Sequence, residues 1–473
     1  MSWIPAFGKG IAYLLLLYAL YVFLSLVWFR LLRRGGLHRL RVPGAVFLTF
    51  DDGPDPEFTP RLLEVLARHG ARATFFVVGE RAARYPEVLR QIADAGHEIG
   101  IHNFRHTLNF FSLPWRTARG VEEAARVVEE VTGKRPTLYR PPWGALGLLD
   151  YFLLRKRFTV VFWSLTMYDW QASRTVRWLK WRFLSRVSAG EIVLLHDSGR
   201  TFGADPDAPG RTLAALDAAL TLLREAGVSF RFSTLGEGLA AAARGERILD
   251  PPRLFRHHLY FAFERLHHAV FRYTPLLGTD GLLYLERRPY SGPPLVVRGE
   301  TLLSPGDPAF NLHFNNELLF SALRNEGSTL RSVVQLKRLG DQSLALLAHY
   351  IAENAPDVRG VYGLSALHRG IRAFGFHVLP SQDTLWERVS GAYMLGLLGL
   401  LHPDGMRRLR EGGDVSPRWV VLSRRELDAR YGVRTSAKPK REGEPEGERE
   451  GGERPHTGEA RAGELSEKGG TRG

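Results

Sequence analysis

A long apolar segment is the first feature in the pattern of hydrophobic and polar positions. Residues 10–29 (GIAYLLLLYALYVFLSLVWF) contain no charged side chain. Their length at 1.5 Å per residue matches the hydrocarbon core of a bilayer, which is about 30 Å thick. The segment exceeds the ~7–15 apolar residues of a signal-peptide core, and no A-x-A cleavage site follows it. We therefore expect an uncleaved, single-pass membrane anchor that contacts the bilayer through residues 10–29.

Short apolar runs then alternate with amphipathic stretches from residue 42 to about residue 245. The predicted strands are 45–50, 73–78, 97–101, 159–164, 191–195 and 229–232. The predicted helices are 59–69, 85–95 and 121–132. This alternation favours a parallel sheet, open or closed into a barrel. Functional residues of such folds collect at the C-terminal ends of the strands.

Changes in composition divide the rest of the chain. Residues 1–41 form the anchor and its basic flank, and Asp250-Pro251-Pro252 separates residues 42–245 from a second α/β segment at 253–431. Residues 435–473 consist mainly of Glu, Arg, Gly, Lys and Pro, with Leu465 as the only large apolar residue. Such a segment cannot bury a core, so we expect a disordered tail.

Composition also limits the chemistry. The chain has no cysteine, so any metal must be held by histidines and carboxylates. The net charge of +14 is compatible with nucleic acid, an anionic membrane or an acidic polymer. Because the basic residues are scattered and form no run interleaved with aromatic residues, we expect no nucleic-acid partner.

Two polar clusters predict a metal site. Asp51 and Asp52 end the first predicted strand, where side chains alternate in direction, so one carboxylate could ligate a metal while the other acts as a base. His102 and His106 share a face if their segment is helical. With Asp52 they would form a two-His, one-carboxylate site suited to Zn²⁺, Fe²⁺ or Co²⁺. The alternatives are an acidic turn and two surface histidines.

Three further clusters lie near predicted strand ends. Arg140-Pro141-Pro142-Trp143-Gly144 is a rigid loop that could hold an arginine against a carboxylate and present a backbone N–H to an oxyanion. Asp169-Trp170 and Leu194-Leu195-His196 come later. Taken alone, the loop could be a simple connector, Asp169 a helix cap and His196 a structural residue.

The order of these clusters resembles a known family. TFDDGP, H-x-x-x-H, RPPWG, DW and L-x-H are similar to the five motifs of the polysaccharide deacetylases, the nodulation-type enzymes of carbohydrate esterase family 4. The resemblance covers residues 42–245. It implies a distorted (β/α) barrel and a hydrolase of non-peptide C–N bonds that removes N-acetyl groups from peptidoglycan or chitin-like amino sugars. It also implies one divalent metal ion, with Zn²⁺ expected first and Co²⁺, Ni²⁺, Mn²⁺ or Fe²⁺ as alternatives.

The resemblance implies roles by position for the first three motifs. Asp51 would be the catalytic base. The metal ligands would be Asp52, His102 and His106. Arg140, which lies in the segment that matches the family's proline-rich motif, would orient Asp51. These roles agree with the need of amide hydrolysis for an activated water and a base.

The same resemblance implies the remaining site residues. The backbone N–H of Trp143 would help to bind the oxyanion. His196 would be the general acid, held by Asp169. Trp170 and Leu194 would shape the pocket for the acetyl methyl group. An imidazolium can supply the proton that the departing sugar nitrogen needs.

Two departures from the family pattern affect the expectations. Asn103 stands where the family usually has Ser or Thr, and we expect it to brace its loop by a side-chain hydrogen bond and to leave activity intact. Thr166 stands where the family often has Asp, which changes substrate positioning but touches no ligand. An O-acetyl esterase, or a membrane-tethered carbohydrate-binding or scaffold protein without turnover, remains as an alternative.

Charge and chemistry disagree about orientation. Lys9 precedes the apolar segment, and five arginines follow it: Arg30, Arg33, Arg34, Arg39 and Arg41. The positive-inside rule would place the body of the chain in the cytoplasm. Long domains translocate largely regardless of charge, and the implied substrate lies outside. We therefore expect an extracytoplasmic catalytic domain.

Residues 253–431 resemble an uncharacterised C-terminal domain attached to some bacterial deacetylases. The pattern predicts a helix at 328–353, with an interruption at Gly340, and strands at 361–364 and 371–379. The order of strand, long helix and strand also faintly resembles acyl-CoA N-acetyltransferases, although no glycine-rich acyl-CoA loop is evident. His313, Asn315 and Asn316 could form a binding site or a strand-to-helix turn capped by asparagine.

Overall fold

The computed structural model describes residues 3–246, 255–271, 273–324, 329–365, 368–380, 388–389, 391–394, 396 and 417–432. The strands of the first segment are β1 (Ala45–Asp51), β2 (Ala73–Val77), β3 (Glu98–Ile101), β4 (Leu138–Tyr139), β5 (Thr159–Val160), β6 (Leu165–Thr166), β7 (Ile192–His196) and β8 (Arg231–Phe232). Its helices are α1 (Trp3–Leu26), α2 (Phe58–Arg68), α3 (Gly79–Arg84), α4 (Pro86–Asp94), α5 (Pro114–Thr132), α6 (Leu148–Leu154), α7 (Val176–Arg186), α8 (Ala208–Glu225) and α9 (Leu235–Ala243). Shorter helical turns lie at Val27–Leu31, Asn109–Phe111 and Pro142–Gly144.

Parallel pairing joins these strands into one curled sheet. Its order is β5-β4-β3-β2-β1-β7-β6, and β8 pairs with the start of β1. Neighbouring strands along this order are parallel. Among the described residues β5 and β6 do not pair with each other, so the barrel stays open. The predicted distorted (β/α) barrel is therefore confirmed.

Strand β1 shows how the sheet separates core from site. Val46, Leu48 and Phe50 pack into the main hydrophobic core. Side chains alternate along a strand, so Thr49 and Asp51 point to the opposite face. The parallel register also sets Asp51 beside His196 at the end of β7. The fold thus brings two sequence-distant polar side chains to one edge of the sheet.

Some predicted boundaries are wrong for local reasons. The strand predicted at 159–164 ends at Val160, because Val161 bridges to Leu37 instead of extending the ladder. The helix predicted at 121–132 begins earlier, at Pro114, where a proline is favoured because the first helical residue needs no N–H partner. Both errors lie at element ends, where hydrophobic periodicity carries little information.

The apolar N-terminal helix packs on the barrel by its second half. Gly10–Leu31 is long and apolar enough to cross a membrane by length and composition, a test that a signal sequence near the N-terminus also passes. The Tyr21 hydroxyl accepts a hydrogen bond from the Leu149 N–H at 3.2 Å. The Phe29 ring, only 1 % exposed, lies 5.4 Å from the Tyr151 ring. This end of the helix is therefore part of the barrel's packing.

Replacing Phe29 with alanine should destabilise the barrel by about 3–5 kcal/mol, the usual cost of emptying a buried phenylalanine site. Thermal unfolding of the detergent-solubilised full chain measures the effect. Phe23, on the same helix but mostly exposed, provides the control, because Phe23→Ala should leave the melting temperature almost unchanged. Equal melting temperatures for both variants would show that the helix contributes nothing to barrel stability.

The second segment contains a mixed sheet covered by helices. Its strands are β9 (Thr274–Pro275), β10 (Leu283–Pro289), β11 (Leu295–Val297), β12 (Glu300–Leu303), β13 (Pro308–Phe314), β14 (Gly360–Ser365), β15 (His377–Leu379) and β16 (Arg418–Ser423). Its helices are α10 (Phe255–Val270), α11 (Asn316–Arg324), α12 (Thr329–Asn354), α13 (His368–Ile371) and α14 (Arg424–Tyr431), and a short turn lies at Arg372–Phe374. The sheet order is β15-β16-β14-β13-β10-β9, with β11 and β12 forming a separate hairpin.

Three expectations for this segment meet different outcomes. Helix α12 continues through Gly340 without a break, because one glycine costs a long helix only about 1 kcal/mol, and the Phe374 ring packs closely against this glycine. The strand predicted at 371–379 is wrong in its first half, which is helical, and right only for 377–379. The Asn315 side chain accepts a hydrogen bond from the Leu318 N–H at 3.1 Å, as the asparagine-cap alternative predicts.

The two segments touch through a continuous core. Buried residues of both belong to one hydrophobic cluster. Glu353 of α12 accepts hydrogen bonds from Lys180 and from the Trp181 indole of α7, at 2.6 and 2.8 Å. The described residues between 3 and 432 belong to one compact unit. The predicted boundary at 250–252 and the predicted disordered tail at 435–473 lie outside the described residues.

Candidate metal centre and active site

Three side chains converge at the C-terminal edge of the barrel sheet. The Asp52 Oδ1 atom lies 3.2 Å from His106 Nε2 and 3.5 Å from His102 Nε2. One ligand atom from each residue falls within 4.8 Å of the others. A carboxylate with two imidazoles is a ligand set typical of Zn²⁺ and related divalent ions. The structure thus brings together the three predicted metal ligands.

Asp52 presents an unsatisfied oxygen to this cluster. Its φ of +79° is rare for a residue with a side chain, and it turns the chain sharply away from β1. The Thr201 hydroxyl donates to Oδ2 at 2.6 Å, whereas the buried Oδ1 has no hydrogen-bond partner among the described residues. A buried polar atom without a partner is costly, and a divalent cation would satisfy it. The residues present therefore fit a metal ion.

His102 is held in the protonation form that ligation requires. Its Nδ1–H donates to the Arg140 carbonyl at 2.7 Å, which directs Nε2 toward Asp52. Burial lowers the pKa of His102 to about 3. Burial also lowers the pKa of His106. Both imidazoles are therefore neutral at pH 7, as metal ligands must be.

The loop that carries the histidines is not a helix, so the condition under which they would share a helical face is not met. Residues 102–108 follow β3 without regular structure. Asn103 adopts a φ of +63°, and its amide donates to Asn109 Oδ1 at 2.7 Å. The Tyr139 hydroxyl donates to Asn103 Oδ1 at 2.8 Å. Asn103 thus braces the loop through its side chain, as expected.

Asp51 is buried beside a buried arginine. Arg140 Nη1 donates to Asp51 Oδ1 and to the Thr49 hydroxyl, each at 2.7 Å. Its Nη2 donates to the Phe162 carbonyl at 2.9 Å, which fixes the guanidinium plane. Burial raises the pKa of Asp51, and Arg140 opposes that rise. The result is an oriented carboxylate with greater basicity than a free aspartate, as suits a general base.

His196 forms a second, separate carboxylate–imidazole pair. Its Nδ1 lies 2.9 Å from Asp169 Oδ1, and its backbone N–H donates to Asp169 Oδ2 at 2.8 Å. Burial lowers the pKa of His196, but the charge and hydrogen bond of Asp169 outweigh burial and raise it to about 9. The imidazole is therefore protonated at pH 7. A protonated imidazole held in this way can act as a general acid.

Aromatic and apolar side chains surround these polar groups. The Trp143 ring lies 4.2 Å from the His106 ring, and the Trp170 ring lies 5.2 Å from the His196 ring. Trp143 itself has a φ of +53°. Leu194 is buried, and strand alternation sets it on the same face of β7 as His196. The predicted pocket residues Trp143 and Trp170 therefore lie against His106 and His196, and Leu194 lies on the same strand as His196.

Sequence reasoning missed four supporting residues: Thr49, Asp197, Thr201 and Thr212. The Thr212 hydroxyl donates to Asp169 at 3.1 Å. Asp197 accepts from Thr59 at 2.5 Å, and burial raises the pKa of Asp197 to about 7. Thr49 could have been found, because strand alternation sets it on the same face as Asp51. Thr201 lies in a loop with no sequence signal.

Comparison with known proteins agrees with the order of the motifs. A family model described as polysaccharide deacetylase matches residues 41–151, and the YkoP domain matches residues 253–431. Peptidoglycan-N-acetylglucosamine deacetylase of Bacillus cereus is 33 % identical over 195 residues, covering 41 % of this chain and 86 % of that protein. The chain belongs to the polysaccharide deacetylase family, and the predicted resemblance of both segments is confirmed.

Two further matches concern one protein of Bacillus subtilis. The peptidoglycan-N-acetylmuramic acid deacetylase PdaC is 33 % identical over 156 residues, which cover 33 % of this chain and 33 % of PdaC. The chain therefore spans about a third of the length of that relative. A solved structure of peptidoglycan deacetylase PdaC aligns with a TM-score of 0.38 at 26 % identity, covering 44 % of this chain and 94 % of the solved chain.

Proposed function

We propose that this protein is a metal-dependent N-deacetylase of amino-sugar polymers or oligomers, peptidoglycan in the first place. The observation that carries the proposal is the Oδ1 of buried Asp52, which has no hydrogen-bond partner in the described part of the chain and faces two neutral histidines. Asp51, which is paired with Arg140, and His196, which is paired with Asp169, lie beside it at the ends of adjacent strands. Asp51 would be the general base and His196 the general acid. The names of the relatives, which are peptidoglycan deacetylases, support the substrate class.

The three predicted ligands, Asp52, His102 and His106, would hold the ion. When bound, a divalent ion lowers the pKa of a water and polarises the acetyl carbonyl. Asp51 takes a proton from the attacking water, and Arg140 keeps that carboxylate in place. The Trp143 N–H would donate to the oxyanion. The negative charge that develops on the oxyanion is then stabilised by groups that are already oriented before the reaction.

His196 completes the reaction on the leaving-group side. Its protonated imidazole donates a proton to the sugar nitrogen as the C–N bond breaks. Water and the acetamide thus become acetic acid, which ionises to acetate in solution, and a free amine, and the proton that Asp51 accepted restores the imidazolium. Asp169 holds His196 in the orientation that this step requires. Leu194 and Trp170 would shape the pocket for the acetyl methyl.

Metal removal and replacement test the proposal. The full chain in detergent, dialysed against a chelator, should release no acetate from an N-acetylglucosamine oligomer or from peptidoglycan. Added Zn²⁺ should restore release, and Co²⁺, Ni²⁺, Mn²⁺ and Fe²⁺ compare the alternatives. Undiminished acetate release from the stripped protein would overturn the metal-dependent mechanism. Absence of release with every ion would overturn the enzyme proposal.

The pH profile tests the acid. Activity should fall as the pH rises through about 9, because His196 then loses the proton that Asp169 stabilises. Asp169→Asn removes that stabilisation, so the alkaline limb should move to lower pH by about 1–2 units. Asp217→Asn, which alters a carboxylate paired with His69 on the helical layer, should leave the limb in place. An alkaline limb that Asp169→Asn does not move would contradict the assignment of His196.

We also infer that the chain is an uncleaved single-pass membrane protein with an extracytoplasmic catalytic domain. The buried packing of Phe29 against Tyr151 supports retention of the helix, because a cleaved signal peptide has no need of such contacts. A glycan substrate outside the cell supports the orientation, against the arginine-rich flank. Protease accessibility of residues 435–473 in intact cells tests it: digestion from outside agrees with the inference, and protection contradicts it.

A further inference from the structure

An exposed apolar surface lies beside the C-terminal half of helix α1. We call it the apolar rim, and it consists of Phe111, Leu113, Trp115, Leu149, Phe152 and Leu153. Phe111 is 87 % exposed, and the other five side chains are 45–58 % exposed. Scattered apolar residues are normal on a surface, but exposed apolar residues gathered on neighbouring elements mark an interaction site or a membrane contact, and helices α5 and α6, which carry Trp115 and Leu149, are in contact.

The apolar rim and helix α1 meet directly. The Tyr18 hydroxyl donates to the carbonyl of Phe110, the neighbour of Phe111. The N–H groups of Leu148 and Leu149 donate to the side chains of Ser25 and Tyr21. The rim therefore continues the apolar surface of the helix onto the barrel.

The length of the uncharged segment 10–29 determines how deep the rim lies relative to a bilayer. From Tyr18 to Arg30 the helix runs beside the barrel for about 18 Å, at 1.5 Å per residue. Residues 10–17, the part of the uncharged segment that precedes this contact, extend for only about 12 Å, which is less than the ~30 Å of a hydrocarbon core. A helix that crosses the membrane must therefore keep part of its barrel-contacting half within the bilayer. The rim lies at that same level.

The candidate active site is close to the point where the helix ends. Arg30, next to the end of the helical span, donates to the Trp143 carbonyl. The Trp143 ring in turn lies 4.2 Å from the ring of His106. Trp143 therefore contacts both Arg30, at the end of the apolar helix, and His106, a proposed metal ligand. Exposed Arg155 and Lys156, at the end of α6, add the positive charge that anionic headgroups attract.

We propose that the apolar rim inserts into one leaflet of the bilayer, so that the active site faces the membrane surface and prefers N-acetylated sugars carried on a lipid. The partner is a lipid bilayer, and the inference about substrate rests on the proposed deacetylase function. Phe, Trp and Leu side chains with flanking basic residues are the composition of interfacial membrane contacts. A rim in the leaflet keeps the site close to headgroup-linked sugars and away from glycans far from the membrane.

Fluorescent labelling tests the membrane contact without any catalysis. The chain has no cysteine, so Phe111→Cys and Val333→Cys each provide one site for an environment-sensitive dye. Both side chains are exposed, and Val333 lies on α12 of the second segment. In vesicles of phosphatidylethanolamine and phosphatidylglycerol, spin-labelled lipids should quench the dye at 111 at least about threefold more than at 333. Equal quenching at the two positions would overturn the inference.

Acetate release from two substrates tests the preference for lipid-borne sugars. One is a soluble N-acetylglucosamine oligomer, and the other is a long-chain alkyl N-acetylglucosaminide in the same vesicles as the full-length protein. We expect kcat/KM at least about tenfold higher for the vesicle-borne sugar, since a shared surface raises its effective concentration. Release from neither substrate would overturn the proposed function and this inference with it. A ratio near one, with the soluble oligomer turned over, would overturn this inference alone.

Matched variants link that ratio to the rim. Leu149→Ser/Phe152→Ser removes two exposed apolar side chains of α6 and should lower the ratio at least about fivefold, with turnover of the soluble oligomer unchanged. Val333→Ser/Val334→Ser makes the same kind of change on α12, where both side chains are exposed, and should preserve the ratio. A rim variant that keeps the wild-type ratio would overturn the role of the rim.

Discussion

Replacing Asp51 with asparagine should lower kcat by about 10³–10⁴-fold and leave the metal bound, because a general base contributes up to about this factor. Asparagine keeps the shape of the side chain but cannot accept the proton of the attacking water. The ligands Asp52, His102 and His106 are unchanged. Acetate release gives the rate, and elemental analysis of the dialysed protein gives the metal content.

The same substitution should also reduce stability. Arg140 is fully buried, and Asp51→Asn removes the charge that balances it, a loss that typically costs about 3–5 kcal/mol. Far-ultraviolet circular dichroism at low temperature verifies that the variant is folded when its rate is measured. Asp150→Asn, a change at a buried carboxylate that bonds to the Gly147 N–H, should leave kcat unaltered. A folded Asp51→Asn protein with kcat within tenfold of wild type would contradict the assigned base.

Replacing His102 with alanine should weaken metal binding by at least about 100-fold and abolish acetate release, since even outer-shell changes cost about 10–100-fold in metal affinity. His102 is buried, and the bond of its Nδ1–H to the Arg140 carbonyl directs Nε2 toward the metal site, so the alanine variant loses one oriented ligand. Isothermal titration of the stripped protein with Zn²⁺ measures the affinity.

The controls for this result separate ligation from general damage. His69→Ala removes a histidine that pairs with Asp217 at the end of α2, and it should retain wild-type affinity for Zn²⁺. Asp51→Asn should retain the metal and lose the rate, whereas His102→Ala should lose both. Wild-type Zn²⁺ affinity in His102→Ala would mean that the ion binds elsewhere.

The sequence predicted the parts of the fold that repeat a strong pattern. The apolar runs of β1, β2 and β7 are long enough to be recognised, and parallel pairing follows from the helices between them. Strands β4 and β6 have only two residues each, so no periodicity can reveal them. In the second segment, residues 371–374 are apolar enough to suggest a strand, but packing against α12 makes them helical.

The candidate site was predictable where residue type alone specifies chemistry. Residue type and spacing alone indicate the chemistry of the adjacent aspartates, the paired histidines and the proline-rich loop with its arginine. The sequence does not indicate the geometry of the site. The φ of +79° at Asp52 and the contact of Thr201 with the Asp52 carboxylate depend on loops that meet only in the fold. The contact of Arg30, at the end of the apolar N-terminal helix, with Trp143 is likewise a tertiary contact that local sequence cannot indicate.

Titration of Zn²⁺ into the metal-stripped full-length protein, with acetate release from an N-acetylglucosamine oligomer as the readout, shows whether catalysis depends on a single metal site. If Asp52, His102 and His106 hold the ion that activity requires, acetate release should rise from the background and level off at one equivalent of Zn²⁺ per chain. Full acetate release before any ion is added, or none at any concentration, would contradict the account.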